Sequence, residues 1–362
     1  MTNTGSLDRY RLLGRSGLRV SPLALGTMTF GTDWGWGADA QESRRIFDAY
    51  VDRGGNFIDT ANQYTNGSSE KLVGELAAGK RERLVLATKF TLATRPDDPN
   101  AGGNHRKSMV RSVEQSLGRL GTDYIDLLYL HAWDGLTPAD EVIRAFDDLV
   151  SAGKVLYAGI SDTPAWQVSR MQAIADVRGW APFVALQIPY NLVERTVERE
   201  LIPMAKEMGL GVIPWSPLAS GVLAGKYGKA DLVIGTGSDD PGVSRKNVAA
   251  ANGMLHARAL DIAEVVKSVA AEIGKTPSQV AIAWTLANPA VTAPILGART
   301  LAQLEDNLGA LDVVIPGPHL ELLERASAIG RGFPHDFLAG ADYTLGGLGP
   351  QLDLPPGRSR HG

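Results

Sequence analysis

Four polar side chains stand at or just after the ends of short apolar segments, where groups from separate segments can meet. Asp59 ends the segment NFID, and Tyr64 follows it in the adjoining loop. Lys89 ends LVLATK, and His131 ends DLLYLH. Each residue alone has an ordinary alternative, because aspartates cap helices, lysines and tyrosines lie on surfaces, and histidines form hydrogen bonds within cores. Their convergence at one place would favour a catalytic site.

Brought together, these four groups form a proton donor and the means to tune it. A phenol has a pKa of about 10, and a neighbouring ammonium favours the phenolate, so we expect Lys89 to lower the pKa of Tyr64. Asp59 would keep Lys89 charged against desolvation, and His131 would hold a substrate oxygen in line with the phenol. Such a site polarises and protonates a carbonyl. Because side chains cannot provide a hydride, a nicotinamide cofactor is implied.

The composition excludes several other kinds of chemistry. The 362 residues include no cysteine, which removes disulfides, thiolate metal sites, iron–sulfur clusters and cysteine nucleophiles. The six histidines are scattered, and neither HExxH nor GxSxG occurs, so we predict no metal site and no acyl-transfer nucleophile. A net charge of -4 offers no basic face for nucleic acid or an anionic membrane. Without a secretory signal pattern or a long apolar run, we expect a cytoplasmic protein.

Eight short apolar runs recur along the chain and predict a parallel sheet. They end at Gly26, Asp59, Lys89, His131, Ser161, Gln187 and Trp215, and just before Gly297. Amphipathic stretches such as DAQESRRIFDAYVDRGG separate most of them, so the repeating unit is a strand followed by a helix. Eight such units favour a closed (β/α)8 TIM barrel, with a doubly wound sheet as the alternative. All strands of a barrel end on one face, which would bring the four polar residues together.

We predict one domain over residues 1–362. The segment YRLLGRSGLRVSPL indicates an N-terminal hairpin at about 10–22 that closes one end of a barrel spanning about 23–330. The last interval holds a Gly- and Asp-rich stretch at 227–247 and a helical segment from about His256 to Asn288, which predict an insertion or lid. The tail, 331–362, is rich in Gly and Pro, and it is open whether Phe333, Phe337 or Tyr343 reaches a pocket.

One short match to a dinucleotide fingerprint is set aside. GWGADA at 35–40 fits the pattern G-x-G-x-x-A, which should open a helix directly after a strand. Here several loop residues separate it from the run that ends at Gly26. We therefore expect no Rossmann-type site in this segment.

Seven short motifs carry a resemblance to a known family. GNFIDTANQY, LATK and LYLH are followed in order by GIS, LQIPYN, PWSPLASGVLAGKY and PILGARTLAQLEDN. With these motifs the chain resembles the aldo-keto reductases from about Tyr10 to Ile329, and most closely their longer bacterial and potassium-channel-β-subunit-like branch. The resemblance implies a (β/α)8 barrel that binds NADP(H) across the C-terminal ends of its strands. It also implies that Tyr64 is the general acid, with the other three polar residues in the roles argued above.

The resemblance further implies contacts to the nicotinamide. Ser161, Asp162 and Gln187 would meet the carboxamide, and Trp215 would stack on the ring. Two departures from the family pattern occur, because Asp162 replaces the usual asparagine and Trp215 replaces a more common tyrosine. A carboxylate still accepts from an amide nitrogen but cannot donate unless it is protonated. Tryptophan offers a larger stacking face.

For the rest of the cofactor, the resemblance implies contacts beyond the last two strands. The loop SPLASGVL with Lys226 would cross the pyrophosphate. Gly297 and Arg299 would lie at the start of the last helix, where Arg299 would clasp the 2′-phosphate, so NADPH is preferred over NADH. The alternative for Arg299 is an ordinary exposed arginine. The further cofactor contacts are Thr27, Met28, Asp59, Ser216, Pro217, Leu218, Gly221, Leu223, Lys226, Gly297, Arg299, and, facing the adenosine, Gln303 and Asn307.

Apolar residues after several strand ends would form a wall around the reacting carbon. They are Met28, Trp34, Phe90 and Trp133, with Trp36 beside Trp34; the alternative is packing in a loop or core, above all for Phe90. We therefore predict an NADPH-dependent reductase of small-molecule aldehydes or ketones. A redox sensor that binds the cofactor with negligible turnover is the alternative, and a phosphate-binding isomerase is more remote. The sequence leaves open the substrate (aromatic aldehyde, sugar or deoxysugar intermediate), the reaction direction and any homo-oligomer.

Overall fold

Eight parallel strands form one sheet that curves into a barrel in this computed structural model, which describes residues 5–232 and 245–339. The strands, beginning with the two of the N-terminal hairpin, are β1 (Arg11–Leu12), β2 (Arg19–Val20), β3 (Ala24–Gly26), β4 (Phe57–Asp59), β5 (Val85–Phe90), β6 (Ile125–Leu130), β7 (Val155–Ser161), β8 (Phe183–Pro189), β9 (Gly211–Trp215) and β10 (Ile295–Gly297). Strands β3 to β9 are neighbours in chain order, and β10 pairs with the free side of β3. A bridge between Val212 and Val291 nearly closes the barrel. The predicted (β/α)8 barrel is confirmed, and the doubly wound alternative is wrong.

Helices alternate with the strands and cover the outside of the barrel. The α-helices of the described residues are α1 (Ala40–Asp52), α2 (Ser68–Ala77), α3 (Arg106–Leu120), α4 (Ala139–Ser151), α5 (Ala165–Arg178), α6 (Leu201–Met208), α7 (Arg245–Ala251), α8 (Ala257–Glu272), α9 (Pro277–Ala287), α10 (Leu301–Leu308), α11 (Gly317–Ser327) and α12 (His335–Ala339). Short 3-10 segments are Tyr64–Gly67, Arg81–Arg83, Thr196–Glu198, Ala219–Ala224, Lys229–Leu232 and Gly309–Asp312. Across the described ranges, no helix has the length and apolarity needed to cross a membrane.

The helical segment predicted from about His256 to Asn288 is two helices, so that prediction is wrong. After α8 the chain turns at Gly274, which has a left-handed φ of 65°. Thr276 then caps α9, because its hydroxyl accepts from the Gln279 N–H, and Pro277 is the first helical residue. A capping box with proline at the first position is a strong helix start, and it interrupts the amphipathic pattern. Residues 233–244 of the predicted insertion lie outside the described residues.

The N-terminal hairpin closes the end of the barrel at which the strands begin. β1 and β2 pair antiparallel, and Leu13 and Val20 pack without solvent exposure against side chains at the strand starts. The Arg11 guanidinium donates to the carbonyl oxygens of Val291 (3.3 Å) and Thr292 (3.0 Å), just ahead of β10. The opposite end, where the strands finish, is therefore the one available to a ligand.

The polar residues singled out from the sequence lie at that opposite end. Asp59 ends β4, Lys89 is the next-to-last residue of β5, and Ser161 ends β7. His131 directly follows β6, and Gln187 of β8 is opposite Ser161 in the sheet register. Gly297 ends β10 and so precedes the cap of α10, rather than starting that helix as predicted.

The described part of the C-terminal tail lies on the surface. His335 of α12 contacts Glu200 just before α6 (2.9 Å). Phe333 and Phe337 pair with each other at a ring-centroid distance of 6.1 Å, and both remain exposed. Neither ring lines the cavity described below. Tyr343 lies outside the described residues.

Candidate active site

Asp59, Lys89 and Tyr64 form a hydrogen-bonded chain near the mouth of the barrel. The Lys89 ammonium donates to Asp59 Oδ1 (2.6 Å), to the Thr60 carbonyl (2.9 Å) and to the Tyr64 hydroxyl (3.1 Å). The other carboxylate oxygen of Asp59 accepts from Gln187 Nε2 (2.8 Å). Lys89 has no exposed surface and Asp59 is 2% exposed, so water does not compete for these bonds.

The backbone after β4 is shaped to bring the phenol over the end of β5. Tyr64 begins the short turn Tyr64–Gly67, which is kinked because Thr65 and Asn66 have left-handed φ values of 44° and 54°. Such conformations are uncommon outside glycine and concentrate at functional sites. The Lys89 ammonium lies 4.7 Å from the centre of the Tyr64 ring. His131 packs edge-on against the same ring, with the centroids 5.9 Å apart.

Burial dominates the proton affinities of this group. Loss of water raises the pKa of Tyr64, and the attraction of Lys89 offsets this only in part. Lys89 lowers the pKa of Tyr64 as expected, but desolvation is the larger effect, so the net change is a rise. Burial alone would lower the pKa of Lys89, but Asp59 and Tyr64 raise it above its ordinary value, so the ammonium persists. Burial, and then Lys89, lower the pKa of His131 to about 3, which leaves a neutral imidazole.

Asp162, directly after β7, carries a carboxylate on the same face. Its Oδ1 accepts a hydrogen bond from Trp215 Nε1 (3.1 Å). Its backbone has a φ of 38° and is tied on both sides, because its N–H donates to the Gln187 carbonyl (3.4 Å) and its carbonyl accepts from the Trp133 N–H (3.3 Å). Desolvation raises the pKa of Asp162 to about 6, against the opposing effects of the Trp215 hydrogen bond and of Lys89.

A cavity of about 1250 Å³ extends over these residues and across the ends of several strands. This exceeds the roughly 300–1,000 Å³ of ordinary small-molecule pockets and leaves room for an elongated ligand. Most of the side chains predicted from the sequence line it: Met28, Trp34, Asp59, Tyr64, His131, Ser161, Asp162, Gln187, Trp215, Ser216, Pro217, Leu218, Gly221, Lys226, Gly297, Arg299, Gln303 and Asn307. Trp36 lines it as well.

Two residues of the predicted apolar wall lie elsewhere. Phe90 has no exposed surface and packs against Phe146 of α4, with ring centroids 5.9 Å apart. Side chains alternate along a strand, so when Lys89 points into the barrel its neighbour Phe90 points outward to the helices. Trp133 packs against the same outer core. The alternative of core packing therefore holds for both, and neither lines the cavity.

Two predicted cofactor contacts are also absent from the cavity lining. Leu223 is fully buried in the core between the barrel and its helices. Thr27 is fully buried beneath the cavity, where its hydroxyl donates to the Asp59 carbonyl (3.0 Å). Leu223 therefore contributes to packing, and Thr27 donates a hydrogen bond to the backbone of β4.

Several lining residues were missed by the sequence reasoning. They are Gln63, Leu92, Tyr227, Val248, Asn252, the segment Thr276–Ser278 and Asp306, among others. Asp306 could have been found, because it lies one helical turn after Gln303 on the same face of α10. Val248 and Asn252 lie in and just after α7, and no local pattern links that helix to the cavity.

Two features of the cavity fit a nicotinamide nucleotide, and a third fits less well. Ser161 Oγ is buried and has no hydrogen-bond partner among the described residues, so a ligand amide would satisfy it. At the other end, the Arg299 guanidinium lines the cavity without a hydrogen-bond or ion-pair partner in residues 5–232 and 245–339. The N–H groups of Ala219, Ser220 and Gly221 are bonded within their own loop. That loop therefore offers a pyrophosphate fewer backbone donors than predicted.

Comparison with known proteins identifies the family of this chain. The family model described as the Aldo/keto reductase family matches residues 22–327. This chain belongs to the aldo/keto reductase family. It is accordingly an oxidoreductase, and membership of the family supports chemistry at a small-molecule carbonyl.

Similar proteins of known sequence match over most of their length. Norsolorinic acid reductase B of Dothistroma septosporum is 38% identical over 359 residues, which is 96% of this chain and 88% of the relative. The uncharacterized oxidoreductase YrpG of Bacillus subtilis is 40% identical over 326 residues, 87% of this chain and 94% of the relative. An aryl-alcohol dehydrogenase (NADP+) of Phanerodontia chrysosporium is 36% identical over 358 residues, 94% and 91% respectively.

Proposed function

We propose that this family member reduces aldehydes or ketones to alcohols with NADPH, and that Tyr64 is the general acid. The observation that carries the proposal is the buried chain of Asp59, Lys89 and Tyr64, with an ammonium 3.1 Å from the phenol oxygen. His131 lies against the same phenol at the cavity wall. This combination suits protonation of a carbonyl oxygen and lacks a nucleophile for acyl transfer.

Proton transfer to the substrate oxygen is the step that these side chains perform. Tyr64 keeps its proton at neutral pH because its pKa is raised, and it donates that proton as negative charge develops on the oxygen. Lys89 stabilises the phenolate that remains, while Asp59 keeps Lys89 charged and in position. The neutral imidazole of His131 can donate one N–H to the same oxygen without repelling Lys89.

NADPH supplies the hydride when it is bound. The residues that would hold it, from the nicotinamide to the adenosine, are Ser161, Asp162, Gln187, Trp215, Lys226, Arg299, Gln303 and Asn307, all of which line the cavity. The preference for NADPH over NADH rests on Arg299, because a guanidinium matches a phosphate in charge and geometry. One relative bears NADP+ in its name, which agrees with this preference.

The cavity mouth favours an aromatic or otherwise apolar carbonyl compound. Trp34 and Trp36 lie there with ring centroids 5.8 Å apart, and Met28 and Leu92 line the same cavity. Flat aromatic side chains stack on flat ligands and exclude water from the reacting carbon. Relatives are named for aryl alcohols and for norsolorinic acid, which supports testing aromatic aldehydes first.

The test compares turnover and nucleotide binding in Tyr64→Phe. With an aromatic aldehyde and NADPH, the variant should lose roughly a hundredfold to ten-thousandfold in kcat, the range of general acid catalysis. Its NADPH affinity should stay close to that of the unmodified protein, because the phenol hydroxyl is not part of the proposed nucleotide site. Tyr157→Phe removes a hydroxyl from β7 near the closed end of the barrel and serves as the matched control. Full activity in Tyr64→Phe would exclude Tyr64 as the acid.

The same assay separates an enzyme from a redox sensor. An enzyme oxidises many equivalents of NADPH per chain when the aldehyde is in excess. A sensor with negligible turnover would stop near one equivalent, which would contradict the proposed function while leaving the nucleotide site intact.

A further inference from the structure

Asp162 brings a carboxylate to the end of the cavity proposed for the nicotinamide. The two other charged side chains there, Lys89 and Asp59, are already paired with each other. Lys89 and Asp59 form a buried ion pair at 2.6 Å. In the described ranges, Asp162 has no cationic side chain within ion-pair distance, and its side chain is exposed to the cavity. The hydrogen bond from Trp215 Nε1 needs only an acceptor oxygen. A neutral amide would provide that acceptor equally well, so the charge itself calls for an explanation.

The position of this charge is fixed. The backbone of Asp162 is bonded to the Gln187 carbonyl and to the Trp133 N–H, and its φ of 38° lies in the left-handed region. Aspartate and asparagine both tolerate that region better than most residues. Asp162→Asn should therefore keep the backbone, the side-chain shape and the Trp215 hydrogen bond while removing only the charge.

A nicotinamide ring changes its charge when it is oxidised, because the reduced ring is neutral and the oxidised ring is a cation. Trp215, which donates to the Asp162 carboxylate, is also among the residues proposed to hold the nicotinamide, and the family resemblance implies that the ring stacks on it. A ring held against Trp215 would therefore have the carboxylate near its edge. An ionised carboxylate attracts the cationic ring and gains nothing comparable from the neutral one.

We propose that Asp162 tunes the bound cofactor, so that its ionised carboxylate makes the site favour oxidised nicotinamide over reduced nicotinamide. This rests on the proposed function, because it requires the ring against Trp215. For charges roughly 6 Å apart and a dielectric between that of a protein surface and water, Coulomb's law gives about a threefold to hundredfold preference. The consequence is a bound cofactor from which hydride donation, and hence reduction of the substrate, is favoured.

The preference for the oxidised nucleotide should depend on pH. Among the neighbouring groups, Asp162 is the one whose ionisation can cause that dependence. Ionisation of Asp162 favours the oxidised nucleotide, so the preference should appear as the pH rises through the weakly acidic range. The pKa of Tyr64 and that of Lys89 are raised, and that of His131 is lowered to about 3, so none of these three titrates there. Asp59 is held by Lys89 and Gln187.

NADP+ and NADPH differ only in the nicotinamide ring, and the remainder of the molecule is the same in both. The 2′-phosphate titrates in both nucleotides, and the side chains at the far end of the cavity, Lys226, Arg299 and Asp306, meet both alike. Their effects therefore cancel in the ratio of the two dissociation constants. That ratio is a readout of binding, and it does not depend on activity.

The experiment measures the dissociation constants of NADP+ and NADPH by fluorescence titration between about pH 5 and pH 8. In the unmodified protein, the ratio in favour of NADP+ should rise about threefold to tenfold across this range, because part of the preference is already present at pH 5. In Asp162→Asn the ratio should stay at the low-pH value. Asp306→Asn makes the same change at the adenosine end and should retain the full pH dependence.

The outcomes separate this inference from the proposed function. If both nucleotides bind and the ratio does not vary with pH, or varies equally in Asp162→Asn, the tuning role is refuted and the reductase proposal stands. If the unmodified protein binds neither nucleotide, both are refuted. If Asp162→Asn alone fails to bind, the pH profile of the unmodified protein decides, because that profile requires no variant.

Discussion

Replacing Lys89 by methionine removes a cation from a fully buried site while keeping a side chain of similar length. The Asp59 carboxylate, which is 2% exposed, would lose its 2.6 Å ion pair and keep the Gln187 hydrogen bond. Breaking one partner of a buried ion pair typically costs about 3–5 kcal/mol, because an uncompensated charge stays buried. Tyr64 would also lose the ammonium that stabilises its phenolate.

The size of this effect can be stated as a melting temperature. For a chain of 362 residues the unfolding entropy is about 0.76 kcal/mol/K, from roughly 2.1 cal/mol/K per residue. A loss of about 3–5 kcal/mol therefore lowers the melting temperature by about 4–7 °C, which calorimetry resolves. Aldehyde reduction should be lost in the same variant.

Two further variants test whether the loss of stability comes from the unpaired buried charge. Lys80→Met removes the surface pair with Asp48 (2.8 Å), whose side chains are 36% and 37% exposed, and should cost less than about 1 kcal/mol. Adding Asp59→Asn to Lys89→Met removes the orphaned charge and should restore part of the lost stability without restoring activity. The electrostatic account is refuted if Lys89→Met has the same melting temperature as the unmodified protein. It is also refuted if the double variant loses as much stability as Lys89→Met and Asp59→Asn lose in sum.

Two other predictions concern His131 and Arg299. His131 has a folded-state pKa of about 3, below its unfolded value, so the unfolded chain binds the extra proton and stability falls as the pH drops below about 6.5. Between about pH 6 and pH 5, the unfolding free energy of the unmodified protein should fall by about 1.4 kcal/mol per pH unit more than that of His131→Gln; equal slopes in denaturant titrations would contradict this. Arg299→Gln should weaken NADPH binding by roughly tenfold to a hundredfold, the value of a charge-assisted hydrogen bond, with little change for NADH. Equal losses for both nucleotides would show that Arg299 does not contact the 2′-phosphate.

The meeting of Asp59, Lys89 and Tyr64 followed from the sequence because a parallel barrel has only one face where strands end. The periodic strands and helices predict the barrel, and the barrel brings together residues that are distant along the chain. The outward position of Phe90 was also within reach. Alternation along β5 makes Phe90 face outward once Lys89 faces inward, so its place in the outer core is encoded in the strand.

Other features could not be derived from local patterns. The net rise in the pKa of Tyr64 depends on how completely its neighbours exclude water, which no spacing reveals. The Asp162–Trp215 hydrogen bond joins the residue after β7 to the last residue of β9, and their contact depends on the exact twist of the sheet between them. The break between α8 and α9 could have been predicted in part, because the capping residues Thr276 and Gln279 are visible in the sequence.

In the barrel, β3, near the start of the chain, pairs with β10, which the ribosome synthesises much later. Arg11 donates to the carbonyl of Thr292, 281 residues further along, and β3 pairs with β10. A ribosome that adds about 5–20 residues per second takes roughly 14–56 s to cover that distance. Throughout this time the nascent sheet has an open edge at β3, of the kind that recruits other chains. A chain that ended before residue 295 would lack the strand that pairs with β3, and this edge would stay unpaired.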